Sequence, residues 1–190
     1  MASSPLLKRA LDRAAFWHRD QRRKYPGADV PYSSHVAGVA ITLARHGFSE
    51  EVVAAGALHD TIEDTDATFD DLVEHFGELV ATLVRHCSEE DKSQSWEVRK
   101  QQYLDRFPDK PWEAQAITLA DKIDNLHSLV VCAELHGNPW DQLKRGRAAQ
   151  LQRYRVLLDL ARQLTPHPLI DEYAYAVAQA ERVAEDGTLD

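Results

Sequence analysis

The sequence predicts an all-α fold, a single compact bundle of about eight to nine helices. Apolar residues recur at helical spacing through most of the chain, beginning with residues 5–24. No β-rich stretch, repeat or heptad array interrupts this pattern, and no linker is long enough to separate two domains. The chain has 190 residues, 44% of them hydrophobic, which suits one domain over 1–190 with a substantial core. We expect the core at about 5–160 and the C-terminal helices at 140–185.

Breakers and caps set the helix boundaries in the first half of the chain. Tyr25-Pro26-Gly27 ends the first helix, because proline and glycine interrupt helices. Ser49 is a good N-cap for the third helix, whose near-continuous apolar run predicts a central, buried position. A capping box at Thr68-Phe69-Asp70-Asp71 begins the fourth helix, and Gly77 ends it. The predicted helices of this half are 5–24, 33–47, 49 to the His59-Asp60 pair, and 68–77.

Prolines and a polar stretch organise the second half. Pro111 opens a long helix that runs to Leu135, and Asn138-Pro139 is an N-cap followed by a first-turn proline. Residues 88–95 are polar and predict a loop. The remaining predicted helices are 78–87, 96–106, 140–163 and 169–185, with the last two separated by Thr165-Pro166-His167-Pro168.

Composition and charge exclude several classes of protein. A net charge of −9 disfavours nonspecific binding to nucleic acid or to a membrane surface, but a few local cations can still bind a small anionic substrate. We expect no signal peptide, because no positively charged region followed by an apolar run opens the chain, and no stretch approaches the roughly 18 apolar residues that would suggest a membrane span. Cys87 and Cys132 lack metal-type spacing and are expected to be buried thiols. We therefore expect a cytoplasmic protein with a small-molecule substrate, and the sequence leaves its oligomeric state open.

Three distant segments carry residue types that bind divalent cations. His35 opens the second predicted helix, His59-Asp60 ends the third, and Asp121 lies within the longest one. Adjacent positions differ by about 100° around a helix, so His59 and Asp60 can face one ion only near a helix end. Asp121 follows the apolar Ala120, and a buried carboxylate requires a compensating cation. The sequence predicts that these four residues share one ion; the alternative is that each caps or hydrogen-bonds independently.

The predicted ligands indicate hydrolytic chemistry. Mixed imidazole and carboxylate ligands suit Mn²⁺, Fe²⁺ or Zn²⁺, and such an ion acidifies bound water and withdraws charge from phosphorus. Glu63 and Asp64 lie four positions after His59 and Asp60, so they are expected to face the same way. Carboxylates placed there can orient the attacking water or take its proton. The alternative is a solvated acidic turn.

Two groups of cations are candidates for binding an anionic substrate. The first is Arg22-Arg23-Lys24, just before the turn that leads to His35, although such a triplet is often a solvated helix end. The second, around the polar loop, comprises Lys92, Arg99 and Lys100 and could hold an anionic group. Tyr154 could line a ligand pocket, with core packing as its alternative role.

These residues resemble a known family. His59-Asp60 with Asp121 is similar to the HD superfamily of metal-dependent phosphohydrolases, and the longer pattern resembles the hydrolase domain of RelA/SpoT enzymes and the stand-alone small alarmone hydrolases. The resemblance covers about residues 5–160. The matching segments are Gln21-Arg22-Arg23-Lys24, Pro31-Tyr32-Ser33-Ser34-His35, Ala57-Leu58-His59-Asp60-Thr61-Ile62-Glu63-Asp64-Thr65, Phe76-Gly77 and Leu119-Ala120-Asp121-Lys122-Ile123-Asp124-Asn125-Leu126.

The resemblance implies an HD-domain helical bundle that removes the 3′-pyrophosphate from guanosine tetra- or pentaphosphate, with Mn²⁺ as the usual ion. It implies a role for each matching residue. By matching position, His35, His59, Asp60 and Asp121 would be metal ligands, Glu63 and Asp64 the catalytic pair, Arg23 and Lys24 nucleotide contacts, and Asn125 a hydrogen-bond partner of the sugar or base.

Four positions depart from the family pattern and leave alternatives open. Ser34 stands where an asparagine is common, Val36 replaces a proline, Asp124 an aromatic residue and His127 a basic one. A carboxylate near an anionic ligand is unfavourable unless it points away, so the substrate could be another nucleotide, such as a 5′-nucleotide or NADPH. A catalytically idle nucleotide-binding domain that signals to a partner is a third hypothesis.

Overall fold

Helices account for most of the computed structural model, which describes residues 5–88, 93–143 and 145–189. The all-α prediction is confirmed, because the β-structure within these ranges is limited to isolated bridges at Arg22–Pro31 and Val183–Leu189. In chain order the α-helices are α1 (Pro5–Trp17), α2 (Ser33–Arg45), α3 (Glu50–Leu58), α4 (Thr61–Asp64), α5 (Phe69–Phe76), α6 (Glu78–Cys87), α7 (Trp96–Asp105), α8 (Trp112–Leu135), α9 (Gly146–Ala161) and α10 (Pro168–Glu181), with 3-10 helices at Phe107–Asp109 and Pro139–Gln142.

The longest helix, α8, lies at the centre of the fold. Its 24 residues span about 36 Å, and every residue from 114 to 121 is buried. Helices α2, α3, α6 and α10 all pack against it. The predicted long helix from Pro111 is therefore confirmed, and Asp121 lies in the interior of the protein.

Helix α3 is the second central element. All residues from Val52 to Leu58 are buried, as its apolar run predicted, and α1, α2, α6 and α8 surround it. Gly56 permits a close approach between α3 and α2, since a Cβ at that position would lie only 2.3 Å from Cδ1 of Leu43. This contact brings the helix that carries His35 against the helix that ends at His59.

The predicted caps are present. The Ser49 hydroxyl accepts a hydrogen bond from the backbone N–H of Val52 at the start of α3. Thr68 and Asp71 form the reciprocal capping box of α5. Gly77, at a φ of 85°, ends that helix in a conformation that favours glycine.

The predicted extent of the first helix is wrong at its C-terminal end. Helix α1 stops at Trp17 rather than at residue 24, so Tyr25-Pro26-Gly27 lies in a loop instead of ending a helix. Residues 18–32 fold back on themselves through backbone hydrogen bonds from Arg23 to Val30 and from Tyr32 to Gln21. A longer helix would carry mainly charged, solvated side chains after Trp17, with little apolar surface to bury.

The predicted helix over 140–163 is also wrong at its start. A 3-10 helix over Pro139–Gln142 precedes α9, which begins only at Gly146. Gly146 has a φ of 67°, which breaks continuity between the two segments. The last helix, α10, covers Pro168–Glu181 and is shorter than the predicted 169–185.

Candidate metal centre and adjoining cleft

Three helices bring His35, His59 and Asp121 together in the interior. His35 lies in the first turn of α2, His59 caps the end of α3, and Asp121 lies midway along α8. Each offers one ligand atom within 4.8 Å of those of the other two. Their side chains are 0%, 3% and 8% exposed, respectively. Three of the four predicted ligands therefore form one buried cluster.

The fourth predicted ligand, Asp60, adjoins this cluster through one oxygen. Its Oδ2 lies 3.1 Å from Nε2 of His59 and 3.7 Å from Nε2 of His35. The hydroxyl of Tyr32 donates a hydrogen bond to the same oxygen. Helix α3 ends at Leu58, so neighbouring residues 59 and 60 can both turn inward, as a shared site requires.

Both imidazoles direct Nε2 toward the carboxylates. Nδ1 of His35 lies 2.6 Å from Oδ2 of Asp124, and Nδ1 of His59 lies 2.9 Å from the carbonyl oxygen of Gly56. Both partners are acceptors, so Nδ1 carries the hydrogen and a neutral ring keeps its lone pair on Nε2. Both Nε2 atoms are buried without a hydrogen-bond partner among the described residues. A cation fits these atoms, because metal-bound histidines commonly donate their second N–H to a carboxylate or carbonyl.

Negative charge at the centre also favours a cation. Burial alone would lower the pKa of His35, but Asp121, Asp124 and Asp60 outweigh burial and raise it to about 9. Burial opposes protonation of His59 as well, yet the nearby carboxylates hold its pKa well above the usual range. The carboxylates thus require positive charge between them. A divalent cation supplies that charge and leaves both imidazoles neutral.

Asp121 is held at both carboxylate oxygens. Lys122 forms an ion pair with Oδ2, and the amide nitrogen of Asn125 donates a 2.5 Å hydrogen bond to Oδ1. Burial alone would raise the pKa of Asp121, but Lys122 and the two histidines outweigh it and hold the pKa well below its usual value. The carboxylate is therefore ionised and fixed in place, as a metal ligand must be.

The two carboxylates predicted to handle the proton lie on the short helix α4. Asp64 is exposed, and its Oδ2 accepts a 3.0 Å hydrogen bond from the side-chain amide of Gln21. Glu63 is half-buried and lines a shallow depression together with Trp17 and Arg19. Asp64 borders both this depression and a neighbouring cleft. Its carboxylate is thus open to a ligand in that cleft.

The neighbouring cleft, of about 320 Å³, has a mainly polar lining. It gathers four of the residues predicted to contact the substrate, from segments distant in the sequence. These are Arg23, Lys24, Asn125 and Tyr154. Arg22, Lys100 and Arg153 add positive charge, and Trp96 adds an aromatic face. Such a lining suits an anionic ligand with a stackable base.

Arg23 is held deep in this lining. Its Nη2 donates hydrogen bonds to Oδ1 of Asn125 at 3.0 Å and to Oγ of Ser128 at 2.8 Å, and its side chain is only 9% exposed. The expected alternative for residues 22–24, a solvated helix end, does not apply, because the segment follows α1 and folds back toward Pro31.

The second cationic group reaches the cleft only in part. Lys100 lines the cleft, whereas Arg99 is half-buried and outside its lining. Lys92 lies outside the described residues. Tyr154 borders the cleft and also packs against the core.

Several site residues had no individual prediction. Gln21 and Tyr32 belong to the motif segments quoted above, and that membership is the signal that could have identified them. Trp96, Ser128 and Arg153 carry no such signal, because only the fold brings α7, α8 and α9 to one cleft.

In the part of the chain described by the structure, no helix has the length and apolar character needed to cross a bilayer.

Comparison with known proteins agrees with this geometry. The family model described as HD domain matches residues 10–143. The chain is 42% identical over 135 residues to the Drosophila melanogaster protein named guanosine-3′,5′-bis(diphosphate) 3′-pyrophosphohydrolase MESH1, covering 69% of this chain and 74% of that protein. It is 39% identical over 133 residues to the Danio rerio protein of the same name, with coverages of 69% and 73%.

A solved structure is similar over nearly the whole chain. It is described as a metazoan orthologue of SpoT that hydrolyses ppGpp, and it matches with a TM-score of 0.82 at 32% identity. The match covers 94% of this chain and 97% of that one. The similarity therefore extends beyond the motif segments to the packing of the helical bundle.

Proposed function

The chain belongs to the HD domain family, and we propose from that premise that it removes the 3′-pyrophosphate from guanosine tetra- or pentaphosphate, giving GDP or GTP and pyrophosphate. The observation that carries this proposal is the buried cluster of His35, His59 and Asp121 beside a cleft lined with cations. The relatives named above, which are 3′-pyrophosphohydrolases of the same alarmone, support it. We further propose that residues 1–190 form one domain that acts in the cytoplasm.

His35, His59, Asp60 and Asp121 would hold one divalent cation, for which we propose Mn²⁺, with Fe²⁺ and Zn²⁺ as alternatives. The donor set of imidazole nitrogens and carboxylate oxygens fits such an ion, and so do the buried Nε2 atoms. When bound, the ion supplies Lewis-acid polarisation of the phosphoryl group and acidifies the attacking water.

Glu63 and Asp64 would manage the proton of the attacking water. Asp64 borders the cleft and is oriented by Gln21, so it can hydrogen-bond to a water molecule that approaches phosphorus. Glu63, one position earlier on α4, can receive the proton of this water; the bond from phosphorus to the ribose 3′-oxygen breaks, and that oxygen takes a proton from solvent as pyrophosphate is released. Neither residue needs to contact the nucleoside for this role.

The cleft would bind the rest of the nucleotide. Arg23 is fixed by Asn125 and Ser128, so its remaining guanidinium donors can reach phosphate or stack on a purine. Lys24 and Tyr154 line the same space, and Lys100, also in the lining, would contact the pyrophosphate. A nucleotide, which joins anionic phosphates to an aromatic base, matches this lining of cations and aromatic rings.

No structural observation favours another nucleotide. The sequence raised that alternative because Asp124 would place a carboxylate near an anionic ligand. In the structure Asp124 lies against His35 and is not part of the cleft lining. An idle binding domain is disfavoured as well, since every predicted ligand and both carboxylates of the Glu63-Asp64 pair are present.

A substrate panel tests the proposal. With Mn²⁺, purified protein is expected to release pyrophosphate from guanosine tetraphosphate faster than it releases phosphate from 5′-nucleotides or NADPH. Turnover of those compounds without turnover of the alarmone would reject the assignment.

Variants separate the proposed roles. Asp121→Asn is expected to lose metal and activity together, whereas Glu63→Gln keeps the metal and loses rate. Glu50→Gln, an exposed substitution at the opposite end of α3 from His59, serves as the control. Equal rates for Glu63→Gln and Glu50→Gln would remove Glu63 from the mechanism.

A further inference from the structure

Asp124 contacts a metal-ligand candidate from outside the cluster. It lies on α8 three positions after Asp121, which places both residues on the same side of that helix. Its Oδ2 lies 2.6 Å from Nδ1 of His35, and the His35 side chain is fully buried. The contact spans 89 positions of the chain and joins α8 to α2.

A glycine on the facing helix makes this contact possible. An ideal Cβ at Gly38 would lie 2.0 Å from Oδ1 and 3.0 Å from Cγ of Asp124. Any larger residue at position 38 would therefore displace the carboxylate. Gly38 lies one turn after His35 on α2, so one stretch of that helix both supplies the imidazole and leaves room for its partner.

The two histidines of the cluster have unequal partners. His59 donates its Nδ1 hydrogen to the neutral carbonyl of Gly56, whereas His35 donates to a carboxylate. A carboxylate partner makes the opposite ring nitrogen a stronger electron donor and fixes the plane of the ring. Arg23 Nη2 lies 3.6 Å from the same Oδ2 and offsets part of its charge.

We propose that Asp124 is a positioning residue of the metal centre, which fixes His35 with its hydrogen on Nδ1 and strengthens Nε2 as a ligand. This inference rests on the proposed function, because it needs a metal at the cluster. Its role is to raise affinity for the cation without contacting the cation or the substrate. Gly38 is the residue that permits it.

Metal affinity measured without nucleotide tests the inference. We expect the dissociation constant for Mn²⁺, obtained by calorimetric titration of metal-free protein, to rise about 10- to 100-fold in Asp124→Ala. Asp124→Asn should restore part of this loss, because its amide oxygen can still accept from Nδ1 of His35. Circular dichroism of each variant establishes that it is folded.

The matched control is Glu172→Ala. Glu172 forms the same kind of contact, 2.7 Å from Nε2 of His46, but it lies on α10 and is not part of the cluster of His35, His59 and Asp121. Its removal should leave the Mn²⁺ affinity unchanged.

The role of Gly38 has its own test. Gly38→Ala should weaken Mn²⁺ binding in the wild-type background. It should have little effect when combined with Asp124→Ala, because the displaced carboxylate is then absent.

The outcomes distinguish this inference from the proposed function. Wild-type affinity in Asp124→Ala, with Mn²⁺ still bound and the alarmone still hydrolysed, would overturn the role of Asp124 alone. Failure of the wild-type protein to bind Mn²⁺ would overturn both. An equal loss of affinity in Glu172→Ala would show a general effect of removing a carboxylate and would also reject the inference.

Discussion

The side-chain amide of Gln21 donates a 3.0 Å hydrogen bond to Oδ2 of Asp64, a residue 43 positions further along the chain. The oxygen of the same amide lies 2.6 Å from Nδ1 of His18. His18 is 2% exposed, and its ring packs beside that of Tyr32 with 4.9 Å between centroids. A buried ring thus fixes an amide, and the amide fixes a carboxylate that we propose acts on the attacking water.

Loss of this hydrogen bond should slow the reaction without removing the metal. In Gln21→Ala we expect kcat to fall about tenfold, a cost of about 1.4 kcal/mol, because Asp64 is no longer oriented. Mn²⁺ content should stay at the wild-type level. Gln163→Ala, at an exposed glutamine that bonds to the backbone of Asp159, provides the control. A wild-type kcat in Gln21→Ala would show that Asp64 needs no such partner.

Close packing of α2 on α3 should be sensitive to one methyl group. Gly56→Ala would place a Cβ 2.3 Å from Cδ1 of the fully buried Leu43, so we expect a loss of about 1–3 kcal/mol in the free energy of unfolding. Urea denaturation measures this loss. In a Leu43→Ala background the added methyl has space, and the cost of Gly56→Ala should shrink. Equal costs in both backgrounds would contradict the contact.

Binding of a cation should stabilise the fold. The cluster brings together three helices, so an ion bound there favours the folded state over the unfolded chain. Mn²⁺ at about 100 times its dissociation constant should add about 2.7 kcal/mol and raise Tm by about 5–10 °C, relative to chelator-treated protein. Differential scanning fluorimetry gives the shift. Asp121→Asn should show none, and a wild-type shift in that variant would place the ion elsewhere.

Sequence patterns predicted the parts of the fold that depend on local chemistry. The apolar run of α3 and the long helix α8 were evident, because burial on all sides leaves a continuous apolar signature. The capping box at Thr68 was evident as well, since both of its partners lie within one turn. The candidate ligands could be chosen by residue type and position, and their convergence followed from the helices that carry them.

Contacts between distant segments could not be predicted in the same way. The end of α1 at Trp17 depends on the backbone pairing of residues 21–32, which no local pattern reveals. Asp124 appeared in the sequence as an unfavourable charge near the ligand. Its true position against His35 follows from the space left by Gly38, a relationship between two helices.

Lys110 is a buried cation outside the lining of the cleft that contains Arg23. Its Nζ is buried without a hydrogen-bond partner among the described residues and lies 4.1 Å from the ring centroid of Tyr103. Burial lowers its pKa from 10.5 to about 8, and the charges of Lys122 and Arg106 act in the same direction. Cys87 and Asp121 oppose the shift without reversing it.

Lys110 should make stability depend on pH in the alkaline range. Because the pKa is lower in the folded state, protonation favours the unfolded chain, and the full cost applies below about pH 8. As the pH rises from about 8 to about 10.5, this cost of up to about 3 kcal/mol is removed.

Lys110→Met lacks the amine, so the unfolding free energy of the wild type should rise relative to that of the variant across this window. Both proteins should carry Cys87→Ala, because the Cys87 thiol and Lys110 shift each other's pKa and the thiol would not cancel in the difference. Urea denaturation at several pH values measures the two curves, and parallel curves would show that Lys110 keeps its ordinary pKa in the folded protein.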